Sequence, residues 1–143
     1  MKRTVQILLV EDNPADVRLT TEAFRESNVD HRMHVACDGV EALAYLRREG
    51  PHQSADRPDL VILDLNLPRK DGREVLAEIK SDPRLKRIPV LVLTTSQADA
   101  DVRQCYDLHA NCVLSKPLQF DSFLASVERL RDFWLGAATL PPN

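Results

Sequence analysis

Three nearly uninterrupted runs of aliphatic residues constrain the fold of this chain more than any other feature. The runs are VQILLV at 5–10, LVILD at 60–64 and PVLVLT at 89–94. Apolar runs of this kind are typical of strands covered on both faces, as in the parallel sheets of α/β proteins. Two weaker runs, at 32–36 and 111–115, complete a set of five predicted strands.

Amphipathic segments alternate with these runs and predict five helices, at 14–27, 39–49, 72–81, 98–109 and 121–135. The N-cap candidates are Asn13, Asp38, Asp71 and Asp121. Strict alternation of strand and helix with right-handed crossovers predicts a flavodoxin-like (βα)5 three-layer sandwich. Its five-stranded parallel sheet is expected in the order 2-1-3-4-5, with half of a Rossmann fold as the neighbouring alternative.

Composition bounds the class of protein. The chain has 143 residues, of which 43% are hydrophobic and 29% charged, as in an ordinary soluble domain. The formal net charge of −3 argues against a nucleic-acid-binding module. No apolar run is long enough for membrane insertion, and three cysteines, an odd number, favour a reducing cytoplasm. We therefore expect one cytoplasmic domain at 1–135, a flexible tail at 136–143 and no output domain.

Polar side chains stand at the carboxyl ends of the predicted strands. They are Glu11, Asp12, Asp64, Thr94, Thr95, Ser115 and Lys116. Because the carboxyl ends of parallel strands converge on one crevice, these side chains are expected to lie together. Three carboxylates call for a compensating cation, and oxygen ligands favour Mg²⁺. A lysine and hydroxyl groups beside such an ion suit phosphoryl transfer onto an Asp nucleophile.

Four segments of the chain together form a specific pattern. They are ILLVEDNPAD at 7–16, DLVILDLNLPRKDG at 59–72, PVLVLTTS at 89–96 and SKPL at 115–118. The pattern resembles the receiver domains of two-component response regulators. The resemblance implies a domain that accepts a phosphoryl group from a sensor histidine kinase and signals through phosphorylation-dependent protein contacts. It implies self-catalysed phosphotransfer and autodephosphorylation, but no enzymatic turnover.

The resemblance also implies roles for individual residues. Asp64 corresponds to the phospho-acceptor, while Lys116 and Thr94 correspond to residues that contact the phosphoryl group. Thr95 and Asn66 are expected in the same phosphoryl pocket. The implied ligands of Mg²⁺, or of Mn²⁺ in its place, are Glu11, Asp12, Asp64 and the backbone carbonyl of Asn66. Lys116–Pro117 corresponds to a cis peptide bond.

Finer details narrow the likeness to one group of receivers. The VEDNPAD opening, the long loop at 51–58 and the LNLPRKDG segment are similar to small response regulators paired with bacterial phytochrome histidine kinases. A bacteriophytochrome kinase is therefore the implied partner. One position departs from the pattern, because many receivers carry Tyr or Phe three residues before the lysine and this chain has Val113. The response to phosphorylation is therefore expected to pass through Thr94, through closure of a loop, or through Tyr106.

The fifth predicted helix has more apolar residues than one core-facing stripe needs. We expect a homodimer through the surface formed by the fourth helix, the fifth strand and the fifth helix. The residues expected there are Phe120, Phe133, Trp134 and Leu135. The alternative is that these residues fold back beneath the tail.

Other functions remain open at this point. A phosphorelay intermediate or phosphate sink would use the same residues, and a phosphorylation-independent receiver-like adaptor would not need them. A haloacid-dehalogenase-like hydrolase needs a D-x-D pattern after the first strand, where this chain has Glu11–Asp12–Asn13. The C-x3-H-x2-C spacing of Cys105, His109 and Cys112 is interpreted as structural cysteines and a solvated histidine rather than as a zinc site.

Overall fold

The computed structural model describes residues 4–96, 98–116 and 119–142. Within these ranges, five strands alternate with five α-helices. The strands are β1 (Val5–Val10), β2 (His31–Ala36), β3 (Leu60–Asp64), β4 (Val90–Thr94) and β5 (Cys112–Ser115). The helices are α1 (Pro14–Glu26), α2 (Gly39–Leu46), α3 (Gly72–Ser81), α4 (Asp99–Asp107) and α5 (Phe120–Asp132). A 3₁₀ turn, Gly50–His52, follows α2, and a π-helical turn, Phe133–Ala137, follows α5.

The strands form one parallel sheet in the order β2-β1-β3-β4-β5, which confirms the predicted flavodoxin-like topology. Successive side chains of a strand point to opposite faces, so each strand contributes to two cores. Leu8 and Val10 of β1 lie in the core covered by α2, α3 and α4. Ile7 and Leu9 lie in the core covered by α1 and α5. Burial on both faces is why the strands read as continuous apolar runs.

Three of the four predicted helix caps are confirmed. The side chains of Asn13, Asp38 and Asp71 accept backbone N–H groups at the starts of α1, α2 and α3. The prediction that Asp121 caps the fifth helix is wrong, because α5 begins one residue earlier, at Phe120. Gln119 occupies the cap position without a side-chain hydrogen bond, and Asp121 stands in the first turn. A carboxylate there still interacts favourably with the helix dipole.

Four helices end before their predicted limits, and α1 does so by one residue, at Glu26. The second, fourth and fifth were expected to reach residues 49, 109 and 135, whereas α2, α4 and α5 end at Leu46, Asp107 and Asp132. Shortly after the ends of α2 and α4, Arg48 and His109 adopt φ values of 56° and 71°, respectively. A residue in this left-handed region does not continue a right-handed helix. The amphipathic spacing of these segments therefore predicted helices that are too long.

The parallel arrangement gives the sheet two chemically different ends. The loops that follow the strands lie at its carboxyl end, and the loops that precede them lie at its amino end. At the amino end, Val5, Trp134 and Leu140 are among the residues that line a cavity of about 500 Å³. The flexibility of residues 136–143 stays a prediction. None of the described helices combines the length and hydropathy that crossing a bilayer requires.

Candidate functional site

Loops at the carboxyl end of the sheet bring together residues that are far apart in the sequence. Glu11 and Asp12 follow β1, Asp64 ends β3, Thr94 ends β4, and Lys116 follows β5. The backbone N–H of Lys116 donates to the carbonyl oxygen of Thr94 at 2.7 Å, which fixes where the lysine leaves the sheet. The predicted cis peptide bond between residues 116 and 117 lies outside the described residues.

The ammonium group of Lys116 lies among three carboxylates. Its Nζ is 2.5 Å from Glu11 Oε1, 2.8 Å from Asp16 Oδ2 and 3.3 Å from Asp64 Oδ2. The side chains of Lys116 and Asp64 are only 12% and 6% exposed. Removing one partner from a buried ion pair is costly because it leaves the other charge uncompensated. The lysine therefore holds this group of acids together.

Three carboxylates also approach one another closely enough to share a cation. One oxygen each of Glu11, Asp12 and Asp64 lies within 4.8 Å of the other two. Glu11 and Asp64 are buried, whereas Asp12 is exposed. Mg²⁺ prefers oxygen ligands and retains several waters, so a site with buried carboxylates and one solvent-facing ligand suits it. The residues present therefore fit a divalent cation.

The crowding of charges shifts two pKa values. Burial, together with the hydrogen bond to Asp64, raises the pKa of Glu11 to about 8. Burial by itself would lower the pKa of Lys116, but hydrogen bonds to Asp16 and Glu11 outweigh it and raise that pKa above its ordinary value. Lys116 is therefore charged at neutral pH, and Glu11 retains a proton to a higher pH than an ordinary carboxyl group does.

The loop after β3 folds tightly against Asp64. The N–H of Gly72 donates to the carbonyl oxygen of Leu65 at 2.9 Å. A Cβ on Gly72 would lie 2.4 Å from the carbonyl oxygen of Asp64, so a larger residue would displace the backbone. The N–H of Asn66 donates to Asp64 Oδ1 at 3.3 Å, and the Asn66 side chain is exposed. Local backbone packing thus orients the Asp64 carboxylate.

Two hydrogen bonds and an ion pair connect the end of β4 with α4 and α3. Thr94 is buried, and its Oγ1 accepts the N–H of Ser96 at 3.0 Å. Ser96 Oγ donates to Asp101 Oδ2 of α4 at 2.5 Å. The same Asp101 side chain lies 3.5 Å from the Arg73 guanidinium of α3. Thr95, which was predicted to join the pocket, has an exposed side chain.

The four apolar residues predicted to form a dimer surface fall into two environments. Phe133 is 58% exposed. Phe120, Trp134 and Leu135 are half-buried and pack against the core beneath α1 and α5. Trp134 and Leu135 also line the cavity beside the tail. Of the four, Phe133 therefore offers the largest free apolar surface.

Comparison with known proteins assigns this arrangement to a family. The family model named the response regulator receiver domain matches residues 7–128. The chain belongs to the response regulator receiver family. Response regulator Rcp1 of Synechocystis sp. is 50% identical to this receiver over 135 residues, which cover 94% of this chain and 92% of Rcp1.

Solved structures agree with the family assignment and with the chemistry of the acidic cluster. Phosphorylated cyanobacterial phytochrome response regulator RcpA has a TM-score of 0.92 and 54% identity, covering 98% of this chain and 100% of RcpA. Mn(2+)-bound Rcp1 has a TM-score of 0.89 and 49% identity, covering 96% of this chain and 99% of Rcp1. The receiver domain of sensor histidine kinase PA1611 from Pseudomonas aeruginosa, with a coordinated magnesium ion, has a TM-score of 0.75 and 28% identity, covering 94% of this chain and 99% of its own. Related receivers thus contain either of the two predicted ions.

A hydrogen bond between β5 and α4 involves Val113, the position at which the sequence departs from the family pattern. The backbone N–H of Val113 donates to the hydroxyl oxygen of Tyr106 at 3.2 Å. Tyr106 belongs to α4 and its side chain is 49% exposed, so an aromatic ring reaches β5 from the neighbouring helix. From the sequence, Tyr106 was predicted only as one of several routes through which the signal could leave the site.

Sequence reasoning missed the part that Asp16 has in this site. Asp16 was assigned to the first turn of the first helix, yet its carboxylate contacts Lys116 at 2.8 Å. The available signal was its spacing, because Asp16 follows Asp12 by four residues and lies in the first turn of α1, close to the loop that carries the acidic pair. That spacing could have placed Asp16 beside the acidic pair.

Proposed function

We propose that Asp64 accepts a phosphoryl group from a phosphohistidine of a sensor histidine kinase. The observation that carries this proposal is the meeting of the Asp64 carboxylate with Lys116 at 3.3 Å and with the carboxylates of Glu11 and Asp12. In the transfer, an Asp64 oxygen forms a bond to phosphorus while the bond from phosphorus to the histidine nitrogen breaks. The electron pair of the broken bond returns to the imidazole, and Asp64 becomes an acyl phosphate.

The main demand on the site is to neutralise the charge of the transferring group. Glu11, Asp12 and Asp64 would hold the divalent ion, which supplies part of this neutralisation when it is bound. Lys116 supplies the rest, because its neighbours keep it charged. Its ammonium group can exchange a carboxylate oxygen for a phosphoryl oxygen without leaving the pocket.

The signal leaves the site through the loop between β4 and α4. A Thr94 hydroxyl that turns towards the phosphoryl group gives up its hydrogen bond from the Ser96 N–H. Ser96 is bonded to Asp101, and Asp101 faces Arg73, so the change reaches α4 and α3. This route does not need an aromatic residue at Val113. Output is then a shift between two populations of loop conformations.

Chemical phosphorylation tests the acceptor role directly. Incubation with acetyl phosphate and Mg²⁺ should produce a phospho-form, detected by intact-mass spectrometry, that Asp64→Asn abolishes. Asp107→Asn is the matched control, since Asp107 is exposed on α4, and it should be phosphorylated as the parent chain is. A phospho-form that survives in Asp64→Asn would overturn the assignment. Failure of the parent chain to be labelled would favour a phosphorylation-independent adaptor.

The names of the relatives support a narrower proposal about the partner. RcpA is described as a cyanobacterial phytochrome response regulator, and another similar structure is described as a bacteriophytochrome response regulator. We propose that a phytochrome-type histidine kinase in the cytoplasm phosphorylates this receiver and that the receiver itself turns over no external substrate. Transfer from such a kinase should be at least about tenfold faster than from an unrelated kinase. Equal rates would contradict the pairing.

A homodimer through α4, β5 and α5 is also proposed, with Phe133 at its centre because Phe133 is 58% exposed. Sedimentation should show a dimer for the parent chain and a monomer for Phe133→Ala. Trp134→Ala serves as the comparison, since Trp134 is half-buried against the core. A dimer that persists in Phe133→Ala would exclude Phe133 from the interface.

A further inference from the structure

Five arginines surround one depression at the amino end of the sheet, on the opposite side from Asp64. The cavity has a volume of about 350 Å³ and also includes Leu46 and Leu85. The arginines are Arg47, Arg48, Arg57, Arg84 and Arg87. They come from the end of α2, the segment before β3 and the segment before β4. In a chain with a net charge of −3, such a concentration of positive charge is not explained by composition.

Acidic side chains compensate only part of this charge. Asp82 lies 3.9 Å from Arg47 and 3.7 Å from Arg84. Glu78 contacts Arg47 at 3.3 Å. Within the part of the chain that the structure describes, Arg48, Arg57 and Arg87 have no carboxylate at ion-pair distance. Three guanidinium groups are therefore available to an anion from solution.

Two of the arginines are already held in position. Arg57 is half-buried, and its Nη1 donates to the carbonyl oxygen of Arg84 at 2.7 Å. Arg47 is fixed by its two carboxylate partners. An anion that binds Arg57 does not have to order that long side chain, which lowers the entropic cost of binding. The planar guanidinium group also matches phosphate oxygens in a bidentate geometry.

The floor of the depression has a different chemistry. Leu46 and Leu85 are 7% and 4% exposed and belong to the core covered by α2, α3 and α4. A cavity of about 350 Å³ has the size of small-molecule sites rather than of a macromolecular groove. Several positive charges above an apolar floor suit a compound with linked phosphoryl groups and an organic part.

We propose that this arginine cavity binds a diphosphate-containing small molecule, with the phosphoryl groups on Arg48, Arg57 and Arg87. Inorganic pyrophosphate and a nucleoside diphosphate share the required chemistry, and a nucleoside would cover the small exposed parts of Leu46 and Leu85. The site lies away from the phosphorylation pocket, so its occupancy does not depend on Asp64 being the acceptor.

Isothermal titration calorimetry of the full chain, in EDTA and at low salt, tests the proposal with ADP, pyrophosphate and orthophosphate. At least one of the two diphosphates should bind about tenfold or more tightly than orthophosphate, because it engages more guanidinium groups. Tighter binding of ADP than of pyrophosphate would identify the nucleoside diphosphate as the source. The reverse order would identify the free diphosphate.

Matched variants separate a built site from general charge attraction. The double variant Arg57→Gln/Arg87→Gln should bind the diphosphate at least about tenfold more weakly. The control Arg103→Gln/Arg129→Gln removes the same charge from exposed positions on α4 and α5 and should change affinity less than about twofold. Equal losses in the two double variants would overturn the proposal, as would no binding by the parent chain. Tighter, Arg57-dependent binding of a short oligonucleotide or a glutamate-rich peptide would also overturn it.

Discussion

The two ends of the sheet carry opposite charge patterns built from similar loops. At the carboxyl end, one lysine lies among the carboxylates of Glu11, Asp16 and Asp64. At the amino end, five arginines surround a cavity, and two of them share the carboxylate of Asp82. The first site needs a cation for full compensation, and the second needs an anion. Each end is therefore incomplete in a way that indicates what it binds.

Burial makes the two ends respond differently to change. Lys116 and Asp64 are almost fully buried, whereas Arg84 is 79% exposed. Interactions in a buried site are little screened by water, and those at an exposed site are strongly screened. Substitutions at the carboxyl end should therefore have large effects on chemistry, while those at the amino end should have small effects on stability.

The largest effect is expected from Lys116→Met. It leaves the Asp64 carboxylate without its positive partner, so the rate of phosphorylation by acetyl phosphate should fall about 100-fold. Mg²⁺ affinity should not fall, because a positive charge beside the ion has been removed. Rates come from intact-mass spectrometry and affinity from calorimetry. Lys86→Met, at an exposed position of the amino end, should leave both unchanged; an unchanged rate in Lys116→Met would remove the lysine from the mechanism.

A smaller effect is expected from Gly72→Ala. The new Cβ would meet the Asp64 carbonyl oxygen at 2.4 Å, so the free energy of unfolding should fall by about 2 kcal/mol as the loop after β3 shifts. Phosphorylation should slow as well, since Asp64 moves with the loop. Urea unfolding measures the first effect. Gly136→Ala is the control because its nearest neighbour would lie 3.6 Å away, and equal stability of the two variants would contradict the close packing.

The smallest effect is expected from Glu78→Gln beside the arginine cavity. Hydrogen bonding to Lys70 is the main cause that lowers the pKa of Glu78, with a further contribution from Arg47. A lowered folded-state pKa adds stability that is present above the ordinary value of 4.5 and is lost as the pH falls through the folded value. The variant should be less stable at neutral pH by about 0.5 kcal/mol, discounted because the side chain is partly exposed. Urea unfolding over a pH series should show the difference shrinking below 4.5; a difference that persisted in acid would point to packing instead of charge.

The fold and most positions of the site could be predicted because they depend on periodicity and on strand ends. The runs at 5–10, 60–64 and 89–94 identified buried strands, and strand order then placed Asp12, Asp64 and Lys116 at one end of the sheet. Asp121 was wrongly predicted to be the cap of α5 because the cap is set by the residue at which the helix begins, and sequence patterns do not by themselves fix that residue. The contact of Asp16 with Lys116 was missed because it depends on how α1 is rotated against the sheet.

The arginine cavity is a second feature that could not be predicted from the sequence. Its arginines occur within the short basic pairs at 47–48 and 86–87 or singly, and each such pattern by itself predicts a solvated face. The arginines surround one depression because the segments before β3 and before β4 both lie at the amino end of the sheet, next to the end of α2. Charge clusters built from several loops therefore cannot be found from local patterns.

The position of Trp134 has a practical consequence for spectroscopy. It is the single tryptophan of the sequence, and its ring meets that of Phe133 edge-on with centroids 5.6 Å apart. Since it lines the cavity beside the tail, its emission reports on the amino end of the sheet. A fluorescence change on phosphorylation would therefore record a signal that has crossed the full depth of the domain.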